Sequence, residues 1–353
     1  MLPIAIMAGP GAERAAELLR EQGNGLVDVT VTGRPGAIGT GSGAGRVANV
    51  TVTGQPGVIG IGGGNGEIPD VTITGRPSAL GIDSGASEIP DVTVTGRPRV
   101  AGLVIGVGGG DEDAVDVVLE PSAGAVARLW TERIGPFARR LAGLERAGSA
   151  PAALLPHDPA LLTAARRLLR RIGDGLDDEG LDDGSWTYDH IGSTAVPGIR
   201  AKRFVDLQLG VDPLPEAGSA FDRVLLDAGY QPATGARPDS PGVYRDLERE
   251  PGLAPADAYR KRLYFRPDPG LPSILHVRPL GGPWWSYTVL FRDWLRVDPD
   301  ARTAYEAMKL DAAAAHADDA DYDDYTRAKT AFFDRAQAEF ERLGRTSPYR
   351  VRR

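Results

Sequence analysis

An eight-residue segment recurs at a fixed spacing of 21 residues: Asp28–Pro35 returns as Asn49–Pro56, Asp70–Pro77 and Asp91–Pro98. A period in this range marks stacked or arrayed units rather than one globular core. Within each unit Val and Thr alternate as in a half-buried strand, Gly-x-Pro follows as a turn, and a short apolar patch such as Ala37-Ile38 or Val58-Ile59 comes next. Stacked in register, the units would align Val29, Val50, Val71 and Val92 as the inner ladder of a β-solenoid. The alternative is a loose duplication, because the linkers Gly41–Gly45 and Gly62–Gly66 bring little apolar area to offset the entropy of ordering them. Both readings stand at this point.

The rest of the chain reads as ordinary globular sequence. At 353 residues it has room for two domains of roughly 150 residues each. With no Cys, disulfides, thiolate metal sites and cysteine nucleophiles are excluded. There is no signal-like leader and no apolar run of membrane-spanning length, so the expectation is a soluble cytoplasmic protein without membrane contact. A formal charge of −8 argues against broad nucleic-acid binding, which depends on Lys and Arg neutralising phosphates. One basic cluster, Arg166-Arg167 with Arg170-Arg171, has the spacing of a solvated face on an amphipathic helix.

The chemistry-bearing stretch is Asp189-His190-Ile191-Gly192-Ser193-Thr194-Ala195-Val196-Pro197-Gly198, followed by Ala201-Lys202 and by Asp206 within the apolar run Phe204–Leu207. A Gly-Ser turn followed by a carboxylate on an apolar strand is how polymerase-β-type nucleotidyltransferases present phosphate and metal ligands. The stretch resembles the GrpB family, whose pattern runs His-Ile-Gly-Ser-Thr-[Ala/Ser]-Val-Pro-Gly, then Ala-Lys, then an apolar pair and Asp. The likeness continues through Leu154–Pro159, Leu275–Arg278, Phe291–Leu295, Asp298-Pro299, Tyr305 with Lys309, and Tyr325-Thr326 with Lys329, covering roughly residues 152–345. Members of that family occur fused behind a dephospho-CoA kinase. Val115–Leu119, Leu129-Trp130, Glu132-Arg133 and Pro136-Phe137 resemble the last strand and helix of such a kinase.

The kinase part is degenerate. A phosphate-gripping loop needs Gly-x-x-x-x-Gly-Lys-[Ser/Thr], with Lys on the phosphates and the hydroxyl on magnesium. Here the first apolar strand leads into Gly9-Pro10-Gly11-Ala12-Glu13-Arg14, which has neither, and Pro121 replaces the Asn that follows the kinase's strand. The expected organisation is a kinase-like remnant over 1–27, four Gly-rich β repeats over 28–110, a kinase-like strand and helix over 114–145, and a GrpB-like domain over 152–345. The fold class is α+β: a polymerase-β-type mixed sheet with flanking helices, preceded by a P-loop-kinase remnant that carries the repeat.

The resemblance implies a set of site residues. Asp206, Ser193 and His276 stand as catalytic candidates, with Asp206 the metal ligand. Gly192, Ser193, Lys202, Arg203 and Lys329 are the nucleotide- or phosphate-binding candidates. Gly192-Ser193 is expected to open a helix whose N–H groups face an anion. Mg2+ and a nucleoside triphosphate are the cofactors in view, and the partner is a nucleotide or other phosphorylated small molecule. The metal set is thin: Gln208 stands where a second carboxylate would share the face of Asp206, and His276 takes the third position, a poor ligand for a hard cation. Each residue also has a structural reading. His190 and His276 fit as satisfied core residues, Lys261-Arg262 as surface charge as an alternative to an anion-binding rim, and Trp284-Trp285 as a core or rim aromatic pair as an alternative to a nucleobase platform. Three functions remain open: a nucleotide-binding protein with or without nucleotidyl transfer, a dephospho-CoA kinase, and a non-catalytic binding module.

Overall fold

The computed structural model describes residues 1–7, 11–32, 50–53, 58–61, 71–74, 79–82, 92–94, 101–108, 114–120, 122–146, 153–234, 240, 242–248, 252, 254–319, 321 and 323–344. The turns and linkers of the repeats, the residues 8–10 and Pro121 lie outside the described residues. The chain divides into two compact units, Met1–Ala138 and Arg139–Arg353.

In the first unit the apolar run Leu2–Met7 forms β1, helix α1 spans Ala12–Gly23, and β2 spans Val27–Thr32. Then come β3 (Val50–Thr53), β4 (Val58–Ile61), β5 (Val71–Thr74), β6 (Ala79–Ile82), β7 (Val92–Val94), β8 (Leu103–Val107) and β9 (Val117–Leu119). Helix α2 (Ala123–Leu129) follows, with the Ser122 side chain accepting from the Ala125 N–H, and a π-turn over Trp130–Ile134 leads into α3 (Gly135–Leu141). Strands β2, β1, β8 and β9 make one wholly parallel sheet in that order, with α1 crossing from β1 to β2. Leu2, Ile4, Ile6, Leu103 and Ile105 are buried in it, as a parallel sheet requires. The two segments read as kinase-like therefore share one sheet.

Two expectations change here. The first copy of the repeat does not join the others: Val29 pairs in register with Ile4, so Val27–Thr32 belongs to the parallel sheet. A central apolar strand has two hydrogen-bonding edges to satisfy, and β2 occupies one of those of β1. The strand Leu103–Val107, placed in the repeat by its position, occupies the other. The remaining copies pair in parallel register as β3–β5–β7, with Val50 opposite Val71 and Val71 opposite Val92, and as β4–β6.

The second unit is the GrpB-like part. Helix α4 runs Ala160–Asp178 and carries the Arg166-Arg167 and Arg170-Arg171 cluster. Next are β10 (Thr187–Ile191), a 3₁₀ turn over Ser193–Ala195, β11 (Val205–Val211), α5 (Ala220–Asp227), β12 (Gln231–Pro232), a second 3₁₀ turn at Ala256–Tyr259, β13 (Arg262–Arg266) and β14 (Ser273–Pro279). Four helices close the unit: α6 (Pro283–Val297), α7 (Pro299–Ala315), α8 (Asp323–Ala328) and α9 (Thr330–Gly344). Asp298 caps α7, accepting from the N–H groups of Asp300 and Ala301, with Pro299 at a position that needs no donor.

The sheet is mixed, in the order β10-β11-β14-β13-β12, with β11 and β14 parallel and the other pairs antiparallel. Alternation divides it into two faces. Val205, Leu207, Leu209, Val211, Leu275 and Val277 are buried on one. The opposite face carries Asp206, Gln208, His276 and Arg278, which is why a strand this apolar still bears polar side chains. Helix α6 covers the Gly210 end of that polar face: a Cβ on Gly210 would lie 2.3 Å from the Trp285 Nε1. Beyond α6, Phe291, Tyr305, Phe332 and Phe340 build an aromatic core that fixes the terminal helices. Among the described residues no helix is long and apolar enough to cross a membrane.

Candidate functional site

Antiparallel pairing of β10 with β11 sets Ile191 opposite Asp206, so the first residue after β10, Gly192, passes directly over the Asp206 carboxyl. Gly192 holds φ 70°, ψ −170°, and a Cβ there would meet Asp206 Oδ2 at 2.4 Å and Cγ at 2.8 Å. Only glycine fits both requirements. The helix expected at Ser193 is a single 3₁₀ turn of three residues, too short to provide an anion site by its N-terminus. The turn is held from below: His190 Nε2 lies 3.0 Å from Thr194 Oγ1, and Arg292 donates to the His190 carbonyl and to Asp189 Oδ1, each at 3.0 Å. Burial and the nearby Arg296 and Arg292 push the His190 pKa down to about 3, so it is a neutral structural residue.

What the turn lacks in helix dipole is supplied by lysines from three elements. Lys202 comes from the connection ahead of β11, Lys309 from α7, and Lys329 from the junction of α8 and α9. All three act on Asp206, and Arg278 adds a fourth positive charge; even so, burial raises the Asp206 pKa. Among the described residues the Asp206 carboxylate has no hydrogen-bond or salt-bridge partner. Burial likewise lowers the pKa of each lysine, that of Lys309 to about 8 and that of Lys329 to about 7, and Lys202 is the like charge with the largest effect on Lys329.

Lys309 and Lys329 each stand beside a tyrosine. Tyr305 precedes Lys309 and Tyr325 precedes Lys329 by four residues; the first pair shares a face of α7, and Lys329 follows the last residue of α8. Lys309 Nζ stands 5.1 Å from the Tyr305 ring centre and Lys329 Nζ 4.8 Å from that of Tyr325, while Lys202 Nζ is 5.5 Å from Tyr325. Lys309 also donates to the Arg200 carbonyl, and Glu306 accepts from the Arg200 N–H, tying α7 to the loop between the Ser193 turn and β11. The Ser193 hydroxyl hydrogen-bonds Tyr305, whose phenol burial pushes up. Asp206, Ser193, Gly192, Lys202 and Lys329 thus converge as the sequence suggests. Lys309, Tyr305 and Tyr325 join them; the repeated Tyr-x-x-x-Lys spacing is the signal that points to them. Arg203 is exposed.

The remaining polar face is a closed network. Gln208, fully buried, accepts from Arg278 Nη1 at 2.7 Å and from the Thr288 hydroxyl at 2.8 Å, and donates to the Trp285 carbonyl at 3.1 Å. Asp246 accepts from Arg278 Nε at 2.7 Å and from Lys261 Nζ at 2.9 Å, and these two cations hold its carboxyl below the usual range despite burial. Lys261, expected at a surface rim, is therefore buried in an ion pair, and Arg262 pairs with Asp222 at 2.7 Å. The indole N–H of Trp284 goes to the Leu247 carbonyl and that of Trp285 to Thr187, which makes both structural.

These residues do not fit magnesium held by the protein alone. Among the described residues no three His, Asp or Glu side chains gather to hold a metal ion. Asp206 is a lone carboxylate facing lysines, Gln208 is fully engaged, and His276 stands against Arg278 and Lys261, so a dication would meet repulsion where it needs hard anionic oxygens. The charges that act on Asp206 are instead positive, from Lys202, Lys329, Lys309 and Arg278.

A dephospho-CoA kinase of Mycolicibacterium paratuberculosis (strain ATCC BAA-968 / K-10) is 35% identical over 214 residues, covering 58% of this chain and 50% of that protein. The chain thus spans about half the length of such kinase-named relatives, and the match extends beyond the GrpB-like region. The glutamate-rich protein GrpB of Alkalihalophilus pseudofirmus is 29% identical over 143 residues, 40% of this chain and 72% of that one. A crystal structure of the conserved protein GrpB from Enterococcus faecalis aligns with a TM-score of 0.38 and 22% identity over 53% of this chain and 96% of that chain. The family model described as GrpB protein matches residues 151–339, which hold every residue of the site and more than half of the sequence, and the chain accordingly belongs to the GrpB family.

Proposed function

We propose that the GrpB domain binds the phosphate of a nucleotide or other phosphorylated small molecule between Lys202, Lys309 and Lys329, above Ser193. One observation carries this reading: three partly or fully buried lysines with depressed pKa values converge on a single unpaired carboxylate. Without a ligand the protonated cluster is electrostatically unfavourable, and a dianion removes the surplus. Calorimetry with phosphate, pyrophosphate and ATP, each with and without magnesium, tests it. Lys329→Met should weaken binding about tenfold to a hundredfold, the worth of one charge-assisted hydrogen bond. Asp206→Asn should tighten binding by removing a like charge; weaker binding would return Asp206 to the role of metal ligand. No binding at millimolar ligand would sink the proposal.

The polymerase-β-type reading of the fold is supported by the Gly192-Ser193 turn standing beside Asp206 on a mixed sheet. Within it, binding without nucleotidyl transfer is favoured by the engagement of Gln208, which leaves a single carboxylate. For the first unit we propose a β-solenoid grown from a degenerate kinase sheet; the parallel registers of β3–β5–β7 and β4–β6 support it. Limited proteolysis that spares residues 50–94 is the expected result. Because Gly9–Arg14 lacks the phosphate-loop Lys and hydroxyl, the purified chain should form no CoA from dephospho-CoA and ATP.

A further inference from the structure

His276 belongs to β14 and lies opposite Gln208 in register, while Asp206 lies opposite Ile274. His276 and Asp206 are therefore diagonal neighbours on the polar face, at roughly 7–8 Å between adjacent strands. The imidazole Nδ1 is 3.2 Å from Arg278 Nη2 and 3.3 Å from Lys261 Nζ. A guanidinium has no acceptor to offer, so a proton on Nδ1 would point at a cationic donor. Nδ1 must accept, and the ring's single proton sits on Nε2. Such a nitrogen has no lone pair for a metal, and Nδ1 is already occupied.

Among the described residues Nε2 has no partner, and His276 is partly exposed. Gln208, which stands opposite His276 on β11, is engaged by Thr288 and Trp285 of α6 and is no partner for Nε2. Two cations behind the ring polarise its N–H, and such a donor prefers an anionic oxygen. We infer that His276 is a fixed N–H donor that binds the second anionic group of a diphosphate-type ligand whose first phosphate lies among Lys202, Lys309 and Lys329. This rests on the phosphate-binding reading above.

The chain has four histidines, so the imidazole nitrogen resonances of the intact protein can be assigned with His276→Gln. Nδ1 should resonate as an unprotonated nitrogen and Nε2 as a protonated one; the reverse would overturn the inference. Pyrophosphate, but not phosphate, should shift the Nε2 proton. In calorimetry, pyrophosphate should bind about tenfold more tightly than phosphate. His276→Phe should abolish that preference, and His276→Gln, which keeps an N–H donor, should retain it. If His276→Phe fails to fold, the Nε2 proton shift decides. Equal binding of the two anions would overturn this inference and leave the phosphate-binding reading standing, whereas no binding of either would overturn both.

Discussion

Gln208 Oε1 accepts a 2.7 Å hydrogen bond from Arg278 Nη1 across neighbouring parallel strands, and Arg278 also binds both carboxylate oxygens of Asp246. One guanidinium thereby links the position where a second metal-binding carboxylate would stand to a buried ion pair. Gln208 both accepts and donates there, so its neutral amide is fully engaged.

Restoring the carboxylate should accordingly fail. In Gln208→Glu the Trp285 carbonyl, 3.1 Å from Gln208 Nε2, loses its donor and faces an anionic oxygen. We expect a loss of about 1–3 kcal/mol in urea unfolding and no gain in magnesium affinity by calorimetry. Tighter magnesium binding with unchanged stability would show that the network is not what excludes the metal.

Gly192→Ala combines a positive φ with a 2.4 Å collision against Asp206 Oδ2. The expected cost is about 2–4 kcal/mol, together with loss of anion binding. The double variant Gly192→Ala/Asp206→Ala should recover part of that stability, because the contacts with Oδ2 and Cγ are removed and only the 2.9 Å approach to the Asp206 Cβ and the backbone strain remain. Equal stability of the single and double variants would place the cost elsewhere.

Lys329 gives the site a pH dependence. Burial holds its pKa near 7, far below an unfolded lysine, so between about pH 7 and 10 the unfolded chain binds more protons and ligand-free stability rises with pH. Anion binding has the opposite sign: it needs the charged amine and should strengthen as pH falls from 9 to 6.5. Sulfate, which stays a dianion over this range, is the suitable probe. At pH 8 its binding should take up protons, detectable as a dependence of the calorimetric heat on buffer ionisation. Binding that is flat with pH in the unmodified protein, or equally pH-dependent in Lys329→Met, would contradict the assignment.

The repeat period, the apolar strands and the Gly192-Ser193 to Asp206 spacing were all legible in the linear chain, because local alternation and turn chemistry depend on near neighbours. Other features required the assembled fold. Val29 alternates like its copies but pairs with Ile4, since the open edge of β1 is a tertiary fact. Lys261 looked like surface charge until Asp246, fifteen residues away, was found beside it at 2.9 Å. Lys309 and Lys329 reach Asp206 from more than a hundred residues along the chain, carried there by an aromatic core around Phe291 and Tyr305. The sequence by itself determined which side chains were available and which strand would bear the carboxylate. Only the tertiary structure decided that lysines rather than a second carboxylate surround it, because charge acts through space and its sign at one point is set by groups that the chain keeps far apart.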